Sequence, residues 1–166
     1  MKEEAFTNNL YFTWMESPIG WMEIKADDLG LTSLWFCEAE QKGENRPNAI
    51  TEQCEQELRE YFLGERKVFT VPLNPEGTPF QKRVWQALQD VGFGQAASYL
   101  DISNILGDEK LTRAVGSANG KNPIGIIVPC HRVIGSDGSL TGYAGGMHRK
   151  KWLLQHEGVI TQQELF

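Results

Sequence analysis

A cysteine and a histidine stand side by side at Cys130-His131, within Pro129-Cys130-His131-Arg132-Val133, at the end of the apolar run Ile124-Gly125-Ile126-Ile127-Val128, which reads as buried, strand-like support for the thiol. The chemistry this pair could do is nucleophilic. A free thiol with a pKa of about 8.5 is only ~3% thiolate at neutral pH, so a nucleophilic cysteine needs a base or a positive field beside it. His131 is the nearest candidate. Adjacent residues point to opposite faces of a strand and diverge by about 100° on a helix, so direct contact is not automatic. Either a water bridges His131 to the thiol, or His148 or His156 folds back to it. Whichever ring serves needs an orienting acceptor, and Glu157 can supply one. Most cysteines are buried and inert, so the dipeptide alone does not establish catalysis.

Composition narrows the setting. With 166 residues, 40% of them apolar, the chain can bury a core in one ordinary domain or two small ones. Its longest apolar run is far shorter than a bilayer span and no cleavable leader is evident, so a membrane role is not expected and the cytoplasm is. Cys37, Cys54 and Cys130 lie far apart without CxxC spacing. That pattern implies reduced thiols and no zinc knuckle, with Cys37 and Cys54 read as buried structural thiols. The net charge of −6 is uneven: residues 1–73 hold 7 Lys/Arg against 14 Asp/Glu, and 74–166 hold 9 against 8. Phosphate attraction is local, falling away within a Debye length of about 8–10 Å, so any polyanion would be met by the second half.

The elements that must position Cys130 fall into two groups. Leu10 to Met15, Trp21 to Ala26 and Leu31 to Phe36, separated by Ser17-Pro18-Ile19-Gly20 and Asp27-Asp28-Leu29-Gly30, predict a three-stranded antiparallel meander. A helix follows, with Thr51 as its expected N-cap and Gly64 as its stop. Val71 to Gly77, with Pro72, Pro75 and Gly77, reads as a connection, giving an N-terminal domain over 1–75 and a C-terminal domain over 76–166. Beyond it the pattern is helical. Thr78-Pro79-Phe80-Gln81 is a capping box with proline at the first helical position, and Phe80, Val84, Leu88 and Val91 share a face. Ser98 caps a short helix with Ile102, Ile105 and Leu106 inward, and Asp108 caps the next.

In that next helix Leu111, Ala114, Val115 and Ala118 form an i, i+3, i+4, i+7 stripe, leaving Thr112, Arg113, Gly116 and Ser117 outside. Two short helices joined by a tight turn fit a helix-turn-helix, and equally an ordinary helical hairpin. One long cation among small residues fits insertion better than a multi-contact base code. Gly135 to Gly146 is a Gly-rich loop able to fold over a pocket, and Lys150 to Glu157 predicts a last helix with Trp152 and Leu153 inward. The fold class expected is α/β, a small sheet with a helix followed by a mainly helical domain.

Taken together, Arg113-Ala114-Val115-Gly116, Asn122-Pro123, Pro129-Cys130-His131-Arg132-Val133, Gly142-Tyr143-Ala144-Gly145-Gly146 and Trp152-Leu153-Leu154-Gln155-His156-Glu157-Gly158 closely resemble the O6-alkylguanine-DNA alkyltransferases, over residues 78–158. The resemblance implies a ribonuclease H-like N-terminal domain and a winged-helix-like C-terminal one. It implies that Cys130 accepts an alkyl group from guanine O6 once, without turnover, with His131 as base through a water, Glu157 holding that histidine and Asn122 ordering the turn that presents the thiol. Arg113 would replace a flipped nucleotide from the minor groove of double-stranded DNA, Tyr99 would help rotate it out and hydrogen-bond the base, and Thr112 and Ser117 would contact DNA. Tyr143 and Gly145 would line the pocket, the Ala144 N–H would meet O6, and the Cys130 and Val133 carbonyls would take the exocyclic amine. Ala144 stands where several relatives have serine, which removes a hydroxyl from the pocket, keeps the backbone contact, and implies a shifted substrate preference. No histidine precedes His131, so the zinc site of some relatives is not expected; a monomer without metal or cofactor is. The competing readings are a non-catalytic helix-turn-helix lesion-binding or regulatory protein, whose alkyltransferase-like representatives have tryptophan in place of the acceptor cysteine, and a Cys-His hydrolase.

Overall fold

The computed structural model describes residues 9–161, and the chain divides into two compact units, Met1–Glu76 and Gly77–Phe166. In the first, β1 (Tyr11–Ser17), β2 (Gly20–Ala26) and β3 (Leu31–Cys37) form an antiparallel meander in the order β1-β2-β3, with Ser17 opposite Gly20 and Tyr11 opposite Ala26. Alternation buries Thr13 and Met15 on β1 and Met22, Ile24 and Ala26 on β2. Asp27 fixes the second turn by accepting from the Leu29 and Gly30 N–H groups. Gly30 is required there, because a Cβ would lie 2.8 Å from the Leu73 backbone.

Helix α1 (Ala49–Phe62) covers Cys54, Leu58 and Tyr61, each side chain contributing on the order of 1.5–3 kcal/mol by burial. Its N-cap is Asn48, not Thr51. Thr51 is the reciprocal partner three residues on, its hydroxyl accepting from the Asn48 N–H while the Asn48 side chain accepts from the Thr51 N–H. Burial pushes the Cys54 thiol far above its ordinary range, as suits an inert core residue, whereas Cys37 is only half-buried. Glu57 is also buried and accepts from the backbone N–H groups of Thr70 and Val71.

The second unit opens with α2 (Pro79–Leu88), whose Thr78/Gln81 capping box forms as expected. Trp85 donates its indole N–H to the Ala118 carbonyl at 2.9 Å. The two-residue strand β4 (Ala97–Ser98) leads into α3 (Tyr99–Ile105), capped by Ser98 and Asp101. The inner face of α3 is Ile102 and Ser103, not the expected Ile102, Ile105 and Leu106: Ile105 is 54% exposed and Leu106 half-buried. Asp108 caps a single 3-10 turn, Glu109–Leu111, and α4 (Thr112–Gly120) follows directly.

The inward stripe of α4 also differs from expectation. Ala114 is exposed and Leu111 half-buried, while Val115, Ala118, Asn119 and, past the helix end, Asn122 are buried, again at i, i+3, i+4, i+7 but one turn further on. The run Ile124–Val128 is buried, yet it is a succession of turns and not the strand-like support expected of it. Strand β5 (Val133–Ile134) pairs parallel with β4, and α5 (Met147–His156) closes the unit, beginning three residues earlier than expected. Its inward residues are Lys150, Leu153 and Leu154; Trp152 is half-buried and stacks on His156. Sheet with helix, then mainly helices, is an α/β fold of the class expected.

Candidate active site

Two consecutive tight turns deliver Cys130. The Ile127 N–H donates to the Gly125 carbonyl at 2.7 Å across Ile126, whose φ is +68°, and the Cys130 N–H donates to the Val128 carbonyl at 2.8 Å across Pro129, at φ −82° and ψ 62°. The second is a relaxed inverse γ-turn, for which proline is suited. The first places a β-branched residue in the left-handed region, a conformation that persists only where the surroundings over-determine it. Those surroundings include Asn122. Its carbonyl oxygen accepts from the Ile124 N–H at 2.9 Å, and its amide donates to the carbonyls of Ile124 (3.1 Å) and Val128 (2.8 Å) and to Cys130 Sγ (3.2 Å).

Cys130 begins a 3-10 turn, Cys130–Arg132, and is 3% exposed. That turn sends His131 and Arg132 inward toward Glu157. His131 Nε2 lies 2.8 Å from Glu157 Oε2; an ionised carboxylate only accepts, so Nε2 carries the proton. Arg132 grips the same carboxylate with Nε at 2.7 Å and Nη2 at 3.1 Å, and its Nη1 donates to the Val91 carbonyl at 2.6 Å. Burial alone would raise the Glu157 carboxyl, but the hydrogen bonds and charges of His131 and Arg132 outweigh it and hold the group at about 2. For His131 burial dominates over Glu157 and lowers the pKa, keeping the ring neutral at neutral pH. Its Nδ1 is buried with no hydrogen-bond partner among the described residues, leaving a basic lone pair available. His148 is exposed and His156 is stacked on Trp152, so of the three histidines His131 is the one that Glu157 orients.

Burial also pushes the Cys130 thiol up to about 11, with the Asn122 amide and the Lys150 charge opposing. The resting group is the thiol, and a base has to act during reaction. Lys150 is fully buried and donates through Nζ to the carbonyls of Val133 (2.6 Å) and Thr141 (3.2 Å); burial draws its pKa down to about 8.

Around this centre, the Val133 carbonyl is already bonded to Lys150, and the Cys130 carbonyl accepts from the Val133 N–H, so each keeps one further lone pair. The Tyr143 hydroxyl oxygen is buried although part of the residue is exposed, and burial, reinforced by Cys130, raises its pKa well above the ordinary value. Gly145 is buried, its carbonyl accepting from Arg149, and Ala144 is exposed. On α4, Arg113 and Ser117 are exposed, whereas the Thr112 hydroxyl is engaged internally, donating to the Glu109 carbonyl at 2.7 Å and accepting from Ser103. The Tyr99 ring packs beside Gly116, where an added Cβ would meet it at an ordinary 3.7 Å.

Residues 79–159 match the family model described as 6-O-methylguanine DNA methyltransferase, DNA binding domain, and residues 10–75 match 6-O-methylguanine DNA methyltransferase, ribonuclease-like domain. The chain belongs to the 6-O-methylguanine DNA methyltransferase family. It is 45% identical to the methylated-DNA–protein-cysteine methyltransferase of Methanosarcina acetivorans over 90% of this chain and 99% of the relative. To the constitutive methylated-DNA–protein-cysteine methyltransferase of Bacillus subtilis it is 41% identical, over 93% and 98%. Among solved structures, Mycobacterium tuberculosis O6-methylguanine methyltransferase superposes with a TM-score of 0.79 at 40% identity, covering 95% of this chain and 98% of that one. The same organism's OGT in complex with DNA gives 0.80 at 42%, over 89% and 92%.

Two buried residues of this methyltransferase-family site, Arg132 and Lys150, are absent from the sequence-level set. For Lys150 a signal existed: Lys150, Leu153, Leu154 and Glu157 are spaced i, i+3, i+4, i+7, which puts both charged groups on the apolar stripe of α5.

Proposed function

We propose that this protein repairs DNA by moving the alkyl group of an O6-alkylguanine in double-stranded DNA onto Cys130, once per molecule. The observation that carries the assignment to Cys130 is the array Asn122–Cys130 and His131–Glu157–Arg132, which combines a buried thiol with a neutral imidazole whose second nitrogen is anchored.

The step runs as follows. His131 Nδ1 takes the thiol proton through a bridging water, and the sulfur attacks the alkyl carbon in line with the C–O6 bond. That bond breaks, its electron pair passing to the purine, and the proton held by His131 is returned to a ring nitrogen of the leaving guanine. The products are guanine and S-alkylcysteine, so no oxidant, metal or cofactor is consumed. Because a thioether is a poor leaving group, the protein is not regenerated. Glu157 keeps His131 in the correct tautomer, and Arg132 keeps Glu157 ionised.

Chemistry on a base atom inside a duplex requires extrusion of the nucleotide, at a cost of a few kcal/mol. Arg113, exposed on a helix of small neighbours, enters from the minor groove and fills the gap. Tyr99 assists rotation and bonds the base, and Ser117 contacts the backbone; Thr112 acts through its backbone, its hydroxyl being engaged. Tyr143 and Gly145 line the base pocket, the Ala144 N–H meets O6, and the remaining lone pairs of the Cys130 and Val133 carbonyls accept the exocyclic amine. The unit from Gly77 onward carries both DNA binding and the acceptor. The protein acts as a monomer in the cytoplasm, whose reducing conditions keep the thiol free; no helix among the described residues is long and apolar enough to cross a membrane.

A duplex carrying one O6-methylguanine with an isotopically labelled methyl group tests this. Label should pass to protein up to one equivalent and no further, and Cys130→Ala should abolish transfer. Release of label to solvent, or several turnovers per molecule, would overturn the proposal.

A further inference from the structure

The hydroxyl of Tyr99, at the first position of α3, lies 2.9 Å from the hydroxyl of Thr141 in the Gly-rich loop, forty-two residues away. Either group can donate. Thr141 is itself held from the other side, since its carbonyl accepts from Lys150 Nζ at 3.2 Å. The same ammonium donates to the Val133 carbonyl, three residues beyond the acceptor thiol. A short covalent and hydrogen-bonded path therefore runs from Cys130 through Val133, Lys150 and Thr141 to the Tyr99 hydroxyl, and sets where that hydroxyl stands relative to the sulfur.

We propose that Thr141 is a positioning residue for alkyl transfer: its hydroxyl donates to Tyr99 Oη and so leaves the Tyr99 proton directed at the extruded base. This rests on the alkyl-acceptor reading of Cys130. A phenol has one proton and can accept two hydrogen bonds. When Thr141 occupies one acceptor position as a donor, the phenolic proton is free for the purine, and a hydroxyl that accepts while it donates is a stronger donor. As the C–O6 bond breaks, negative charge builds on the purine, and a donor already aimed at it stabilises the transition state more than the ground state. Tyr99 keeps its proton throughout; the proton delivered to guanine is the one removed from the thiol.

The test is single-turnover methyl transfer from an O6-methylguanine duplex, measured for wild type, Thr141→Val, Thr141→Ser, Tyr99→Phe and the double variant Thr141→Val/Tyr99→Phe, with the urea midpoint of each. Thr141→Val should slow transfer at saturating duplex by about threefold to tenfold, the worth of one hydrogen bond, leaving the half-saturating duplex concentration unchanged. Thr141→Ser should restore the rate. In the Tyr99→Phe background Thr141→Val should have no further effect, because it acts only through the phenol. Should Thr141→Val not fold, Thr141→Ala carries the same expectations. The inference is overturned if wild type transfers methyl and Thr141→Val matches it, if Tyr99→Phe matches wild type, or if Thr141→Val slows the Tyr99→Phe protein equally, which would mark a structural tie of the loop. Absence of transfer by wild type would instead overturn the acceptor reading itself.

Discussion

At the scale of single residues, the site depends on one carboxylate shared by two nitrogen donors of different character. Arg132 is permanently charged, and His131 is kept neutral by burial, so Glu157 serves at once as counter-ion and as tautomer anchor. Both Glu157 and His131 have lowered pKa values in the folded protein, so each contributes stability that is present above its unfolded pKa and is lost as pH falls. The His131 part begins to go below about 6.5. The Glu157 part is complete above its ordinary 4.5 and disappears as pH falls toward about 2. That shift is worth roughly 3 kcal/mol. Urea midpoints measured from pH 7 to pH 3 should fall steadily, and Glu157→Gln should flatten the acid limb. At pH 7 the same substitution should cost about 3–5 kcal/mol, because it leaves a buried guanidinium without its counter-charge. Transfer should also slow as pH falls through the lowered pKa of His131, when the base is protonated, and should level off above it.

Among elements, the turn from Asn122 to Cys130 is the least ordinary. Asn122→Ala removes the partner of the Ile124 N–H, the side-chain donor to the Ile124 and Val128 carbonyls, which keep one backbone donor each, and the contact to Sγ, and it leaves Ile126 strained without its clamp. A loss of about 2–4 kcal/mol in urea unfolding is expected, with a fall in transfer rate that persists well below the unfolding midpoint. Helix starts were legible in the sequence at the Thr78/Gln81 and Ser98/Asp101 boxes, which stand where spacing put them, whereas at α1 the sequence points to the partner Thr51 and the cap is Asn48. Inward faces were legible only where they are apolar. On α4 the true stripe ends in Asn119 and Asn122, and on α5 it contains Lys150 and Glu157, so a reading that counts apolar residues slides to the neighbouring turn on α4 and overlooks Lys150 on α5. The apolar run before Cys130 misled for the converse reason. Burial does not distinguish a strand from turns whose backbone groups are satisfied by one another and by one asparagine.

For the whole molecule, net charge is a poor guide and local placement a better one. The excess of acid lies in residues 1–73, while the unit bearing Arg113 is nearly balanced, so approach to DNA is not opposed where it has to happen. If Arg113 fills the gap left by an extruded nucleotide, its role exists only on a duplex. Arg113→Ala should therefore slow transfer from O6-methylguanine in duplex DNA by about 100-fold, a few kcal/mol of unstacking left uncompensated, and leave reaction with the free O6-methylguanine base near the wild-type rate. Equal loss on both substrates would place Arg113 in the chemistry instead. The central claim, that Cys130 is the alkyl acceptor, is tested most directly by peptide mapping after one round of reaction with an O6-methylguanine duplex. The peptide containing Cys130 should gain the mass of one methylene, with the peptides containing Cys37 and Cys54 unchanged. A methyl group found on another residue, or an unmodified Cys130 in protein that has repaired its lesion, would contradict the account.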